Sequence, residues 1–446
     1  MRDARATPPG AVPTVRGYRS GYLPRERRAI EAGLRAGEVE TVIATNALEL
    51  GIDIGGLDAA VLAGYPGTRA STWQQLGRAG RRSGDALGVL ITGSSPLDQY
   101  VAAHPEYLFD ASVESGVINP DNPIIAAEHL KCAVFELPLD ADEYAALGPR
   151  TAELVPTLLA DQIVSRSEDR LYWASAAFPA AGVALRGAPD ANVVIIERGS
   201  PPRVIGEIDR FSAMTRVHTD AIYFHDGRQY HVEELDWAAG EAYVRPVDVD
   251  YYTDAQLAVD LKVLSEWEAT TEPTLRGHGE VAVTSLATLF KKVKLHTHEN
   301  VGWGQIDLPQ DDLQTSAFWV TVPPTEDRRG RTESALQGLG ALLVNVAALR
   351  LMADPQDLQV AIQVRSPHTG RPTVILWEPT PGGVGLAERL YRDFAGLVHM
   401  AVGWVRDCPC LDGCPSCVGP PVAGLGAKAP VQAALAHMEQ AHVAIR

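Results

Sequence analysis

Two groups of side chains in this sequence have the type and spacing to do chemistry. The run DCPCLDGCPSCVGPP (407–421) sets Cys408, Cys410, Cys414 and Cys417 at C-x-C-x₃-C-x₂-C. Four thiolates this close on a Pro/Gly-kinked loop can wrap one tetrahedral ion at about 2.3 Å per sulfur, a closed and therefore structural site. Zn²⁺ is the expected ion, although soft thiolates also select Fe–S clusters, and reduced cysteines that only cap a turn are the plain alternative. The fifth cysteine, Cys132, falls in an apolar helical stretch and reads as core. The second group is QQLGRAGRR (74–82), in which Gln74, Gly77, Arg78, Gly80 and Arg81 form Q-x-x-G-R-x-G-R. Arginines three residues apart share one helical face, and the glycines permit close approach to a facing surface. Such a pair can stabilise charge on a transferring phosphoryl group, whereas an isolated Arg pair is more often a solvated face.

These side chains need elements to position them. TVIAT (41–45) is a short β-branched run suited to a buried strand, so Thr45 and Asn46 fall at a sheet's carboxyl edge, where α/β proteins bind ligands. A hydroxyl and free N–H groups there can hold a nucleic-acid phosphate. Gly51 and Asp53 place a carboxylate on a tight turn, within reach of a ribose hydroxyl. PRERRAIEAGLRAG (24–37) reads as a helix, and LDAAVLAG (57–64) and LGVLITG (87–93) as further strands. Together they predict an α/β lobe with a parallel sheet. Helical periodicity over 124–164 followed by RLYWAS (170–175) suits a winged-helix module. Alternating, Gly- and Asp-punctuated segments over 192–255 predict an antiparallel sheet or barrel, with more strands to 330. A helix from Ser334 to about Met352, a strand at 372–378, a Gly-rich turn, a helix from Leu386 and a closing helix complete the chain.

At 446 residues, 46% apolar and 21% charged, the composition is that of a soluble globular chain of two to four domains. The N-terminus carries no apolar signal region. The longest apolar stretch, Ala335–Ala353, is interrupted by Gln337, Asn345 and Arg350, which argues against a membrane span; a cytoplasmic, nucleoid-associated protein is expected. Net charge is −17, but twelve arginines against eight acidic residues give residues 1–82 a net +4 and leave −21 on the remainder. This excludes indiscriminate polyanion binding by the whole surface, not local binding.

The segments YRSGYLPRERRAIEAGLRAGE (18–38), ATNALELGIDIGGLDAAV (44–61) and QQLGRAGRR (74–82), in this order, resemble the second RecA-like lobe of superfamily 2 helicases of the DEAD/DEAH type, over roughly residues 15–110. The resemblance implies that Asp53, with Gly51, contacts the nucleotide ribose and that Arg81 is an arginine finger with Arg78 as its partner. It also implies that Gln74, beside Gly77, helps close the nucleotide cleft and that Thr45, with Asn46, contacts the DNA backbone. The family's ATPase also requires a G-x-x-x-x-G-K-[ST] loop, yet no Gly-Lys dipeptide occurs in the sequence, and Asp142–Glu143 looks like a solvated pair. The first lobe and the opening strand of the second are therefore expected to be absent, and the chain is not expected to hydrolyse ATP alone. WEPTPGGVGLAERLYRDF (377–394), joined to the cysteines, resembles the C-terminal domain of bacterial and fungal DNA-repair helicases, including mitomycin-repair helicases and RecQ-like relatives. DAIYFHDGRQYHVEELDW (220–237), VDVDYYT (247–253), HTHENVGWGQIDLP (296–309) and TSAFWV (315–320) extend that resemblance. Its pattern leads one to expect Asp before the Pro-Gly-Gly turn, where Glu378 stands. The turn reads equally as an anion site at a helix N-terminus or as a tight packing turn.

The expected fold is thus α/β and α+β, multi-domain. Residues 1–110 form a partial second RecA-like lobe, 111–185 a winged-helix-like module, 186–330 a β-rich, barrel-like domain, and 331–446 an α/β domain with the Cys₄ zinc site. The expected function is that of the C-terminal part of an ATP-dependent, 3′-to-5′ DNA helicase acting in repair, with ATP/Mg²⁺ bound only together with a first lobe supplied in cis or in trans. Single-stranded or forked DNA is the expected partner. The alternative is a non-catalytic, zinc-stabilised DNA-binding or protein-interaction module. LFKKVKLHTHE (289–299) can track a DNA backbone or be a solvated strand, and Tyr223, Tyr230, Trp237 and Trp303 can stack bases or fill a core.

Overall fold

In the computed structural model, residues 14–49, 57–80, 85–114, 116–119, 122–183, 192–271, 274–323, 329–421 and 426–443 are described below. The first region is built from β1 (Val15–Tyr18), α1 (Pro24–Ala36), β2 (Thr41–Ala44), β3 (Ala59–Ala63), α2 (Arg69–Leu76) and β4 (Leu87–Ile91). Pro24 starts α1, and Gly37 ends it at φ +77°, returning its N–H to Gly33 and Leu34; only glycine adopts that left-handed cap without strain. β1 pairs in parallel with β2 and β3 with β4, making two separate parallel pairs. Helices α3 (Pro96–Ala103) and α4 (Glu106–Phe109) close this region.

α5 (Pro123–Glu136), α6 (Ala141–Ala145), α7 (Thr151–Ala160) and the hairpin β5 (Val164–Ser167)–β6 (Arg170–Trp173) follow. They enclose a small core of Leu130, Val134, Val155, Leu158, Val164 and Leu171, the arrangement of a winged helix. Asp140 and Glu143 form a capping box, and the Asp142 N–H also donates to Asp140, so the exposed Asp142–Glu143 pair starts α6. Cys132 is half-buried on α5, not core.

β7 (Val193–Glu197), β8 (Arg203–Ile208), α8 (Arg210–Arg216), β9 (Ile222–His225), β10 (Arg228–Asp236) and β11 (Glu241–Val247) give a five-stranded sheet in the order β8-β7-β11-β10-β9. Tyr223 and Tyr230 belong to its core, with Trp237 packed against it. The long strands β12 (Tyr251–Thr270) and β13 (Arg276–Lys294) are joined by β14 (Asn300–Gln305) and β15 (Asp311–Thr321). The chain then forms α9 (Arg329–Leu351), β16 (Gln359–Gln363), β17 (Thr373–Trp377), α10 (Leu386–Arg392), α11 (Phe394–Asp407) and α12 (Lys428–Val443). β15 pairs with both β13 and β17, so strands on either side of the expected boundary at residue 330 share one sheet, β12-β13-β15-β17-β16.

α9 is long and apolar enough to cross a membrane, but Leu336, Leu339, Leu342, Leu343 and Val346 are wholly buried against β17, α11 and α12. Each such side chain contributes about 1.5–3 kcal/mol by leaving water. The helix is the spine of the largest core.

Candidate functional site

The first site lies in the parallel region. β2 ends at Ala44, the Thr45 N–H donates to the Tyr18 carbonyl at 3.4 Å, and a single 3₁₀ turn follows at Asn46–Leu48. Thr45 and Asn46 are exposed at the carboxyl end of β2, as their position in the sequence predicts. α2 starts on Thr68, whose Oγ1 accepts from the Ser71 N–H at 3.0 Å. It ends at Leu76, with Gly77 as its cap. Arg78 therefore sits in the turn beyond the helix and not on a helical face shared with a second arginine; the glycines at 77 and 80 let the chain leave the helix and pair beside Leu57.

Arg78 is only 9% exposed, and its guanidinium donates to the Glu49 carbonyl. The Glu49 carboxylate in turn accepts from Ser71 Oγ (2.6 Å) and Gln75 Nε2 (3.1 Å). Glu49 thus ties the loop after β2 to α2, which the spacing of the motifs alone does not reveal. Thr45, Asn46, Glu49, Ser71, Gln75 and Arg78 line one open cleft of about 1700 Å³. Gln75, not Gln74, faces it: Gln74 is exposed outside the lining, as is Gly77. Gly51, Asp53 and Arg81 lie outside the described residues.

Arg19, in the YRSGY segment, closes the other end of this cleft. It donates to Tyr223 Oη, to the Phe224 carbonyl (2.9 Å) and contacts His225 Nδ1 (3.0 Å), while its guanidinium lies over Tyr22 and Tyr223. Burial, reinforced by the Arg19 charge, pushes the His225 imidazole down to about 4, so it is neutral at physiological pH. This lock fixes the parallel region against the five-stranded sheet. Its sequence signal is slight, one arginine among many.

The second site is the cysteine loop between α11 and α12. Sγ–Sγ distances are 3.6 Å for 408–410, 408–414 and 414–417 and 3.5 Å for 410–417, and all four sulfurs lie within 4.8 Å of one another. Disulfide sulfurs would be about 2.05 Å apart. A flat square of this side would have diagonals of about 5.1 Å, whereas a tetrahedron around zinc has edges of about 3.8 Å. The donors therefore fit a tetrahedral zinc. Burial pushes the Cys417 thiol up to about 12, and a bound dication would supply the charge that favours its thiolate. The loop is held from outside: Lys428 Nζ donates to the carbonyls of Cys408 and Cys410 (2.6 Å each), and Trp404 Nε1 donates to that of Ser416 (3.1 Å).

The Pro-Gly-Gly turn does not await an anion, because the chain supplies one. Glu378, fully buried, accepts from Ser316 Oγ (2.6 Å) and from the N–H groups of Val384 (2.5 Å), Gly385 (3.1 Å) and Ala387 (2.9 Å). It occupies the N-terminus of α10 from within, so the turn is a packing turn. Gly383 sits at φ +71°, where a Cβ would meet Ser316 Oγ at 2.0 Å. Buried Asn122 binds the same turn, donating to the carbonyls of Pro381 (2.8 Å) and Gly383 (2.9 Å) while its Oδ1 caps α5. The winged helix is thereby bonded to the C-terminal α/β layer.

Among the other candidates, Trp303 is 55% exposed with Lys291 Nζ 5.2 Å from its ring, and Lys292 lies over Tyr251. The cysteines are the sole metal-competent cluster among the described residues.

The parallel lobe with its cleft, the winged helix and the four-cysteine layer are consistent with the C-terminal half of a superfamily 2 helicase. Family models match in that order: the helicase conserved C-terminal domain over residues 14–83, the HRQ1 helicase winged-helix domain over 118–188, and the MrfA Zn-binding domain over 339–418. Within the superfamily the chain is MrfA-like. It is 48% identical over 422 residues to the ATP-dependent helicase YprA of Bacillus subtilis, and 28% identical over 445 residues to the ATP-dependent helicase HRQ1 of Saccharomyces cerevisiae. Those alignments cover 93% and 91% of this chain but 56% and 40% of the relatives. A crystal structure of the DUF1998 helicase MrfA bound to DNA superposes with a TM-score of 0.70 at 46% identity, over 95% of this chain and 57% of the other.

Proposed function

We propose that this chain is the DNA- and nucleotide-facing C-terminal half of an ATP-dependent, 3′-to-5′ DNA helicase acting in repair, completed by a first RecA-like lobe in cis or in trans. The carrying observation is the buried Arg78 held against Glu49 on the wall of the cleft, beside exposed Thr45 and Asn46 at the carboxyl end of β2. A guanidinium fixed by a backbone carbonyl is preorganised, so it stabilises phosphoryl charge without reorganising. In this reading Arg78 steadies the finger Arg81, and Gly51 and Asp53 take the ribose. Gln74 and Gly77 flank the closing interface, and Thr45 and Asn46 bind a phosphate of the tracked strand. The winged helix and the zinc-bearing region guide the DNA. Mixing the purified chain with a separately expressed first lobe should restore DNA-stimulated ATP hydrolysis. Arg81→Ala should lower the turnover about 10³-fold or more with DNA binding retained. DNA binding with no ATPase under any mixing ratio would instead establish a non-catalytic module.

A further inference from the structure

Ser416 stands between two of the four cysteines, Cys414 and Cys417, and bonds out of the loop in two directions. Its Oγ donates to the Ser94 carbonyl (3.0 Å), just before Ser95 caps α3. Its own carbonyl accepts from Trp404 Nε1 (3.1 Å). Trp404, on α11, is stacked on Tyr100 of α3, with ring centroids 5.0 Å apart and planes 26° from parallel. Beside that stack the two helices part around a cavity of about 870 Å³, lined by Tyr100 and His104 on one side and His399, Met400 and Gly403 on the other. α3 therefore meets α11 through a ring pair, not a broad face, and Ser416 bonds to both partners of that contact. The neighbouring α2 has a tie of its own, from Arg69 Nη2 to Met352 Sδ (2.9 Å).

Regular secondary structure does not fix Ser416. α11 has ended at Asp407 and α12 starts only at Lys428, while Gly413 and Gly419 bound the turn at φ +119° and +83°. A turn hinged at both ends takes its shape from what its side chains hold. Bringing the Cys414 and Cys417 sulfurs onto one ion fixes the two residues between them. We infer that the cysteine loop is a metal-dependent joint: with its sulfurs ligated, Ser416 and Trp404 hold the α3 end of the parallel lobe against the C-terminal layer, and loss of the ion releases it. The joint does not depend on the helicase reading. Coupling between sites is reciprocal: if the ion keeps α3 docked, docked α3 keeps the ion. Tyr100, on a different region of the chain from the cysteines, thus helps retain zinc.

The full chain loaded with zinc tests this by two measurements. Release of zinc to a chromophoric chelator should be about threefold or more faster in Tyr100→Ala, and parental in Tyr100→Phe, which keeps the stack. Amide hydrogen exchange over residues 94–104 should quicken on removal of zinc by about threefold or more beyond any change at α9. Ser416→Ala loses one hydroxyl, keeps every sulfur, and should give the same selective quickening with zinc bound; it decides the matter if Tyr100→Ala folds poorly. Zinc release from a folded Tyr100→Ala chain at the parental rate overturns the joint. So does exchange at α3 that rises only in step with α9, because it then reports general loosening of the core.

Discussion

Replacing Glu378 gives the sharpest test of how the C-terminal layer is built. Its fully buried carboxylate accepts four hydrogen bonds, three of them from backbone N–H groups at the turn and the first residues of α10. In Glu378→Ala the three N–H groups and the Ser316 hydroxyl lose their acceptor. Each buried, unsatisfied group costs about 1–3 kcal/mol, and the freed hydroxyl can turn to another partner, so the loss should be about 4–6 kcal/mol. Glu378→Gln keeps one oxygen. Its amide nitrogen is best turned toward Ser316, which can accept as well as donate, leaving the Ala387 N–H stranded and a cost of about 2–4 kcal/mol. Glu378→Asp, which matches the pattern expected from related helicases, is short by one methylene and cannot span both oxygens' partners; about 1–3 kcal/mol is expected. Urea unfolding followed by fluorescence of the neighbouring Trp377 measures all three. A Gln variant within about 0.5 kcal/mol of the parent, or an Ala variant no worse than Asp, would refute the reasoning.

Three further outcomes are expected. The freshly purified chain should hold one equivalent of zinc; Cys417→Ser, at the most buried ligand, should drop it below about half and lower the melting temperature, as chelation should. His225 is held neutral with its pKa depressed to about 4 from the ordinary 6.5, so the unfolded chain binds the proton more readily. The stability it provides is complete above pH 6.5 and fades as pH falls toward 4, by about 3 kcal/mol at most; His225→Gln should flatten that part of a pH–stability curve. Glu114, its side chain 8% exposed, accepts from the Arg69 and Ala70 N–H groups (2.6 and 2.9 Å) and from the Arg69 guanidinium. Glu114→Ala should cost about 3–5 kcal/mol in chemical denaturation, and pairing it with Arg69→Met should recover part of the loss.

Much of this was legible from residue order. The cysteine spacing fixes its own chemistry, because all four ligands sit on one short loop and little tertiary information is needed. β2 and the placement of Thr45 follow from a β-branched run and its end, but the strand is largely exposed, not buried as that run predicts, because it pairs only with β1 among the described strands. The span of α2 did not follow: Q-x-x-G-R-x-G-R reads as helical throughout, but Gly77 and Gly80 release the chain to pair beside Leu57, so Arg78 works from a turn. Gln75 and Glu49 carry no sequence signal, because their roles depend on which face of α2 meets the loop after β2, a relation between distant segments. Glu378 stands out in the sequence as a departure from an expected aspartate, yet its four partners come from residues 316 and 384–387 and emerge only when β15 and β17 lie side by side.

The pairing of β15 with both β13 and β17 bears on how this protein comes apart. A ladder that crosses residue 330 cannot be unzipped from one end without baring polar backbone on the other, so the stretch from β12 to α12 should melt in a single calorimetric transition. Under an applied load it would yield as one block, with the softer joints at its connections to the winged helix and to the parallel lobe.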